Sequence, residues 1–592
     1  MFRTATHRPR RVTRALLVAL AAVALLAGGA PAEARPAPAH PKPAFAWRGI
    51  IEGFYGTPWD HADRMRVITW MGAHGFNAYI RAPKGDGLQT SGWRQPYPSA
   101  LQRRFAREIA DAAALKVQWI PNLSPARGPV DAPERICFTC PQDLDALQAK
   151  LEPFVAAGAR AVMVSFDDIT AQLGPADSAV YEPRFPGTPP EYQFGRATVD
   201  LLNGLRARLP RAVRLLTVLP DYSGTLDTPF LAATRDGALD PAIGVMWTGP
   251  NIRATNFAPS DAAAYAGLIG RTPIVWENWV TRDFVPTRLY LGPYRKQPEL
   301  VGAVQGFFFN AMNEPDLNML PLATAGDWMR DPAHYDADAS WRKAVTELSL
   351  GREPLEEQLR AWAETSYSSQ LERAEAPTFA HAQAAFLAAY ERGARWTDAA
   401  AAVRSELGLV RAGVKGLRAL PDRAFARQAE PFVVAAAQHA RLGQYAVDLL
   451  AAERPALRIR RVRDGFAGSV SPPDADAAAV LRQKIAGKWS LLLSSRLQVY
   501  GCRVVTRGCG KPPRNWMDEF LTHVTALDAA WQPTAAAATA VTVSMRGKPI
   551  PVGRDGSFSL PPTACSKRVL AEDGAGGETS VLLAPCPRSR RS

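Results

Sequence analysis

Between residues 46 and 330, eight short β-rich runs alternate with stretches of helical length, and this alternation restricts the fold more than any other feature. The runs are Trp47–Ile51, Phe76–Ile80, Val117–Pro121, Ala161–Phe166, Arg214–Leu219, Ile243–Trp247, Pro273–Trp276 and Ala303–Phe309. Between most of them lie amphipathic segments: Asp60–His74, Leu101–Ala114, Asp143–Ala157, Glu191–Leu209 and Ser260–Gly270. The first carries Met65, Ile68, Trp70 and Met71 at helical spacing. Eight strands separated by helices predict an α/β chain with a (β/α)₈ barrel. A doubly wound open sheet is the competing architecture, but no run leads into a G-x-G-x-x-G phosphate turn.

In such barrels the site forms where strands end and βα loops begin. Those positions read Glu52-Gly53-Phe54-Tyr55-Gly56, Arg81 to Asp86, Asn122 to Pro125, Phe166-Asp167-Asp168-Ile169, Pro220-Asp221-Tyr222, Trp247 to Pro250, Trp276-Glu277-Asn278 with Asp283 beyond, and Asn310 to Asn313. Carboxylates, amides, a lysine and aromatic rings on one rim suit a carbohydrate, whose C–H faces pack on rings and whose hydroxyls need polar partners.

Asp167 and Asp168 close an apolar strand. Adjacent residues on a strand point to opposite faces, so both acids serve one site only if the backbone bends there. Read alone, such acids equally fit a cap for the next turn. Their closeness in sequence fits poorly with the two-carboxylate schemes that set the acids ~5–5.5 or ~6.5–9.5 Å apart. It suits a substrate-assisted route, in which the sugar's own 2-acetamido oxygen attacks the anomeric carbon. One Asp then holds the acetamido N–H, and the other protonates the leaving oxygen and later activates water. That division of labour predicts one acid kept ionised and the other with a raised pKa.

Seven motifs, Glu52-Gly-Phe-Tyr-Gly56, Ala82-Pro-Lys84, Ser165-Phe-Asp-Asp-Ile169, Met246-Trp-Thr-Gly-Pro250, Trp276-Glu-Asn278, Leu291-Gly-Pro-Tyr294 and Asn310-Ala-Met-Asn313, occur in an order that resembles glycoside hydrolase family 84, the β-N-acetylglucosaminidases. The resemblance covers roughly residues 46–330 and implies a barrel followed by a helical bundle. It implies that Asp167 polarises the acetamido group, that Asp168 is the general acid/base, and that Tyr222 helps hold the acetamido oxygen. It also implies that Asn278 sits beside the acetamido group, that Gly53, Lys84, Asp283 and Asn310 bind the sugar's hydroxyls, and that Trp247 and Trp276 wall the pocket. The chain departs from the family pattern at Gly85, where a second Asp is usual, at Glu277 in place of Asp, and at Ala311 in place of Pro. Asn313 therefore competes with Asn310 for hydroxyl binding. The family's common N-terminal α/β domain is expected to be missing, since the first β-rich run begins almost directly after the signal-like segment. Exo action on β-GlcNAc-containing glycans or glycoconjugates follows from the family, with no cofactor and no metal.

Outside the barrel the readings are coarser. Residues 1–34 hold Arg3, Arg8, Arg10, Arg11 and Arg14 ahead of an apolar stretch, Ala15–Ala27, and end in Ala32-Glu33-Ala34, the pattern of a secretory signal. A secreted protein, free of the membrane after cleavage, is the expectation; a retained anchor is the alternative. Residues 35–45 read as a flexible leader, 46–335 as the catalytic domain and 340–530 as a helical bundle. Residues 533–592 read as a small β-rich segment. Six cysteines in an exported chain favour disulfides, paired by proximity as 137–140, 502–509 and 565–586, although six allow 15 pairings. Half of the formal charge of +14 sits at the two ends, and the excess left on a body of this size is weak evidence for a nucleic-acid partner, so that reading is declined. The histidines avoid the strand ends, against a metal-dependent hydrolase. A glycan-binding relative without catalysis is the remaining rival, and it predicts loss of Asp167 or Asp168.

Overall fold

The computed structural model describes residues 44–499, 516–530 and 541–583, apart from 256–257, 284–287, 297, 370, 373, 394, 555 and 573–577. The expected signal segment, most of the leader, and Cys502, Cys509 and Cys586 lie outside them.

Eight parallel strands close into a barrel in sequence order. They are β1 (Trp47–Glu52), β2 (Ala78–Arg81), β3 (Gln118–Leu123), β4 (Ala161–Ser165), β5 (Arg214–Val218), β6 (Gly244–Trp247), β7 (Ile274–Glu277) and β8 (Gly306–Asn310). β1 and β8 seal the ring with Trp47 opposite Gly306 and Ile51 opposite Asn310. The expected α/β fold class holds, and each strand falls within a few residues of its expected run.

Helices α1 (His61–Ala73), α2 (Ser99–Ala114), α3 (Pro141–Ala156), α4 (Pro175–Arg184), α5 (Pro190–Arg208), α6 (Pro229–Asp236), α7 (Pro259–Ile269) and α8 (Met319–Arg330) accompany the strands. Their starts follow local chemistry. Asp60 and Asp63 form a capping box at α1, each side chain accepting from the other's backbone N–H at 2.8 and 3.3 Å. Five of the others, α3 to α7, begin with proline in the first turn, where its missing N–H costs nothing.

Strand alternation splits the apolar residues into two cores. Ile51, Ile80, Ile120, Met163, Leu216, Met246, Ile274 and Phe308 fill the barrel interior. Ile50, Tyr79, Trp119, Val164, Leu215, Val245, Val275 and Phe309 pack outward in a larger cluster that extends through the helices. The filled interior leaves only the rim for ligands.

After the barrel come α9 (Ala337–Ser349), α10 (Glu353–Glu364), α11 (Pro377–Glu391), α12 (Trp396–Ala419) and α13 (Arg423–Ala452). The helical character expected over 340–530 is broken by a hairpin, β9 (Ala456–Val462) and β10 (Gly465–Ser471), before α14 (Ala475–Val499) and α15 (Asp518–Ala530). Val462 pairs with Gly465 across a two-residue turn at Arg463-Asp464. β10 also pairs with β13 (Ser557–Leu560), so the hairpin belongs with the C-terminal β-rich segment. That segment adds β11 (Thr542–Met545), β12 (Lys548–Ile550), β14 (Arg568–Glu572) and β15 (Glu578–Leu582), ordered β12-β11-β14-β15. Cys137 and Cys140 are disulfide-bonded.

Candidate active site

The strand β4 ends at Ser165, and the chain then turns sharply. Asp168 has φ of 55°, a left-handed conformation that aspartate tolerates better than most residues. This is the bend that lets two adjacent acids reach one pocket. The pocket lies at the C-terminal rim, has a volume of about 250 Å³, and has both acids in its wall.

Asp167 is buried and forms an ion pair with Lys84 through Oδ2. Its other oxygen, Oδ1, is buried and accepts no hydrogen bond. A buried acceptor left without a donor is costly, so this oxygen is suited to an N–H or O–H brought by a ligand. The Lys84 ammonium also sits 5.4 Å from the centre of the Trp276 ring, which fixes the ion pair against the pocket wall.

Asp168 is the more exposed acid and is held by two phenols. Tyr222 donates to Oδ1 at 2.7 Å and Tyr55 donates to Oδ2 at 2.6 Å. Arg127 in turn donates to the Tyr55 hydroxyl at 3.2 Å. Burial raises the Asp168 pKa, but the bonds from Tyr55 and Tyr222 and the charges of Lys84 and Arg127 outweigh it and hold the carboxyl below its ordinary value. The direction found for Asp168 is therefore the opposite of the raised acid expected from the sequence. Burial, followed by the bond to Asp168, pushes the Tyr55 phenol up to about 12, so it stays a neutral donor near pH 7.

The opposite wall is a polar lattice around Asn278. Its Oδ1 accepts from Trp276 Nε1 and from Asn310 Nδ2, each at 3.0 Å, and its Nδ2 donates to the Ile252 carbonyl at 2.7 Å. Asn310 Oδ1 accepts from Gly53 N at 3.2 Å. A Cβ on Gly53 would lie 2.6 Å from Trp276 Cζ2, so only glycine permits this approach of strand end to indole. Asp283 Oδ2 accepts from Tyr55 N at 2.7 Å and holds the loop that carries Tyr55. The same loop is anchored from below by buried Glu52, which accepts from Trp59 N at 2.9 Å and from the Tyr79 hydroxyl. Burial pushes Glu52 up despite the nearby Arg64 and Arg81.

Nine of the ten residues singled out by sequence line this pocket: Gly53, Lys84, Asp167, Asp168, Tyr222, Trp276, Asn278, Asp283 and Asn310. Trp247 does not. It is fully buried, stacks on Tyr265 of α7 at 5.2 Å, and donates Nε1 to the Gly224 carbonyl at 2.9 Å. The reason is strand parity. Met246 pairs with Ile274 and Trp247 with Val275, so Trp247 shares the outward phase of Val275 while Trp276 faces inward. Asn313 is also outside the pocket wall, and its Nδ2 donates to the Tyr55 carbonyl at 2.9 Å.

The departures at 85 and 277 have local causes. A Cβ on Gly85 would meet the Gly56 carbonyl at 2.4 Å, so no side chain fits there. Asp86 instead pairs with Arg81 at 2.8 Å. Glu277 is buried behind the pocket, accepts from the Tyr294 hydroxyl at 3.1 Å and lies 3.4 Å from Lys296. Burial raises Glu277 in spite of that lysine.

Tyr55, Val218, Thr248, Ile252 and Thr281 line the pocket without having been singled out. Tyr55 and Thr248 stand inside two of the seven motifs, so the signal was present. Val218, Ile252 and Thr281 carry no sequence mark of their own. Among the described residues no group of three or more His, Cys, Asp or Glu is arranged to hold a metal ion.

A carboxylate pair, an ammonium and a ring wall at the rim of a (β/α)₈ barrel form a site of the sugar-hydrolase kind. Residues 48–364 match the family model described as beta-N-acetylglucosaminidase. The chain belongs to this family, glycoside hydrolase family 84. It is similar to the Protein O-GlcNAcase of Rattus norvegicus and that of Mus musculus, 27% identical to each over 289 residues. Those 289 residues are 48% of this chain and 30% of each relative, so the match spans about a third of their length. Among solved structures it resembles a mutant O-GlcNAc hydrolase of Thermobaculum terrenum, with TM-score 0.65 and 23% identity, covering 83% of this chain and 99% of that one. It also resembles CpGH84B, with TM-score 0.61 and 21% identity, covering 81% and 77%.

Proposed function

We propose that the protein is a retaining β-N-acetylglucosaminidase that removes terminal β-linked GlcNAc with help from the substrate's own acetamido group. The observation that carries this reading is the unequal state of the two acids. Asp167 is charge-compensated by Lys84 and keeps one buried oxygen without a donor, which an acetamido N–H would satisfy. Asp168 is more exposed and hydrogen-bonded by phenols that a ligand can displace.

In the first step the acetamido carbonyl oxygen attacks the anomeric carbon as the glycosidic C–O bond breaks. The bond's electron pair leaves with the aglycone oxygen, which takes a proton from Asp168. Asp167 accepts the hydrogen bond of the amide N–H and stabilises the positive charge that develops on the oxazoline ring. In the second step Asp168 takes a proton from water, the water oxygen adds to the anomeric carbon, and the acetamido group reopens. Two inversions give net retention.

Asp168 has to be protonated to act as the acid, and Tyr55, Tyr222, Lys84 and Arg127 hold its pKa down. A sugar entering the pocket excludes water from the carboxyl and draws the Tyr55 or Tyr222 hydroxyl toward itself. Both changes raise Asp168. The polar wall of Asn278, Asn310 and Asp283 supplies partners for the ring hydroxyls, and Trp276 the flat face.

The test is turnover of a fluorogenic β-GlcNAc aryl glycoside by the parent and by Asp168→Asn, with the β-glucoside as control. Activity on the GlcNAc substrate alone, greatly slowed in the variant, supports the proposal. Equal activity on the glucoside overturns the acetamido route, and no activity in folded protein favours a glycan-binding role. Export is proposed too, on the arginines and apolar run of residues 1–34. N-terminal sequencing of protein from the culture medium tests it, with a new terminus at Arg35 expected.

A further inference from the structure

A second cavity, of about 450 Å³, opens at the other end of the barrel, where the strands begin. Trp47 opens β1, Arg214 opens β5 and Gly244 opens β6, and all three line it. Strand β5 runs from this cavity at Arg214 to the catalytic pocket at Val218, so the two sites share a strand but no residue. The apolar part of the lining is buried: Trp47, Val213, Leu216 and Ile243. Three arginines, Arg206, Arg211 and Arg214, complete it, and no carboxylate lines it.

Two loops flank the cavity, and an arginine ties down each. Arg206 is buried and donates to the carbonyls of Val213, Leu209 and Pro210 at 2.5, 3.1 and 3.0 Å. Arg271 donates to the carbonyls of Leu239, Asp240 and Ile243 at 2.6, 2.6 and 2.9 Å. Carbonyls satisfy these N–H groups, but as neutral dipoles they leave both positive charges without a counter-ion. The one carboxylate on either loop, Asp240, accepts from Ala242 N at 2.8 Å and attracts Arg271. Arg211 and Arg214 are exposed, and the Arg214 guanidinium lies 5.2 Å from the centre of the Trp47 ring. Among the described residues neither side chain donates a hydrogen bond or forms an ion pair. The strand-start end of such a barrel ordinarily serves stability. That role accounts for Arg206 and Arg271, which fasten backbone. It leaves out Arg211 and Arg214, which hold nothing in the fold and add like charge around one cavity.

We infer that this cavity is a binding site for a small phosphate monoester with a sugar-sized body, separate from the catalytic pocket. Four cations against one carboxylate suit a dianion better than a monoanion. Guanidinium forks match phosphate oxygens in pairs. The volume falls in the ~300–1,000 Å³ range of small-molecule sites, and the apolar lining meets the C–H surface of the ligand's body. The inference does not depend on the hydrolytic function proposed above.

The test is isothermal titration calorimetry with glucose 6-phosphate, against glucose as its neutral twin and glucuronic acid as its carboxylate twin. Near pH 7.5 the phosphate is mostly a dianion, its second pKa being ~6. Glucose 6-phosphate is expected to bind at least about tenfold more tightly than either twin, the worth of one charge-assisted contact. Arg211→Met and Arg214→Met are each expected to weaken it by about tenfold, and added salt to weaken it further. Both side chains are free of bonds to the fold, so the variants are expected to melt with the parent. Ala242→Glu puts a carboxylate among the arginines and is expected to abolish binding. Arg104→Met, at an exposed position on α2, is expected to change nothing.

Equal affinity for the three compounds overturns the inference, and tight binding of glucuronic acid overturns the assignment to phosphate. Affinity that survives Arg211→Met together with Arg214→Met, or survives Ala242→Glu, overturns the placement in this cavity. A loss in Arg104→Met as large as that in Arg211→Met reduces the effect to general charge and overturns it as well. Hydrolysis is read separately on the aryl glycoside, so failure here and failure of the proposed function are distinct results.

Discussion

Replacing Gly53 by alanine tests how closely strand β1 must approach the pocket wall. The new methyl carbon would lie 2.6 Å from Trp276 Cζ2 and 3.1 Å from Asn310 Oδ1. Carbon atoms pack best at ~3.5–4.0 Å, so the indole has to retreat by roughly 1 Å. It is not free to do so, because Nε1 is bonded to Asn278 and the ring sits in the buried interior cluster. Overpacking a site of this kind costs about 1–3 kcal/mol. The larger effect falls on catalysis. Moving Trp276 moves Asn278 and the Lys84–Asp167 pair beside it, and a shift of ~1 Å can cost on the order of 100-fold. Gly53→Ala is therefore expected to fold, with a lower urea midpoint, and to lose about 10- to 100-fold in kcat/KM on the aryl β-GlcNAc glycoside. A Gly53→Ala protein with unchanged kcat/KM and unchanged urea midpoint would refute this reading of the Gly53–Trp276 contact.

Other consequences follow from the same geometry. Asp168→Asn is expected to slow turnover by about 10²–10⁴-fold, with a larger loss for a poor leaving group than for a nitrophenol; equal losses across leaving groups would remove Asp168 as the acid. Tyr55→Phe deletes a donor that holds the Asp168 pKa down, so that pKa rises and the acid stays protonated to higher pH. The alkaline limb of the kcat/KM profile then moves upward, and a downward move contradicts the assignment. Lys84→Met leaves the buried Asp167 without its cation, a loss of about 3–5 kcal/mol for a buried pair; differential scanning calorimetry is expected to show a lower Tm, together with lost turnover. Trp247→Phe is expected to lower the urea midpoint while KM for the sugar stays unchanged, because the ring packs on Tyr265 rather than on the pocket. A raised KM would return Trp247 to the wall.

Much of this was legible in the chain because strand period and barrel closure are strong, redundant signals. The eight apolar runs could close in few ways, and the acids at the end of Ala161–Ser165 could meet only through a backbone bend, which Asp168 supplies. What escaped was parity and side-chain reach. Trp247 and Trp276 both close their expected apolar runs, and only the register of Met246 against Ile274 tells that one points outward and the other in. Tyr55 was visible in its motif, but its contact with Asp168 joins residues 113 positions apart, which no local pattern encodes. The lowered pKa of Asp168 depends on those same distant phenols, so two adjacent acids read alone suggested the opposite direction. The hairpin at 456–471 was hidden for another reason. Its strands are rich in arginine and small residues, and the surrounding helices set the local impression.

The central claim is that the acetamido oxygen is the nucleophile. It is tested most directly by comparing aryl β-glycosides whose 2-acyl group is N-acetyl or N-trifluoroacetyl. Fluorine withdraws electron density from the carbonyl oxygen while adding little bulk, so it weakens an acetamido nucleophile and leaves an enzymic one nearly untouched. The account predicts that kcat/KM falls by more than about tenfold for the trifluoroacetyl substrate, that is, a barrier higher by at least ~1.4 kcal/mol. Equal values for the two substrates would contradict it.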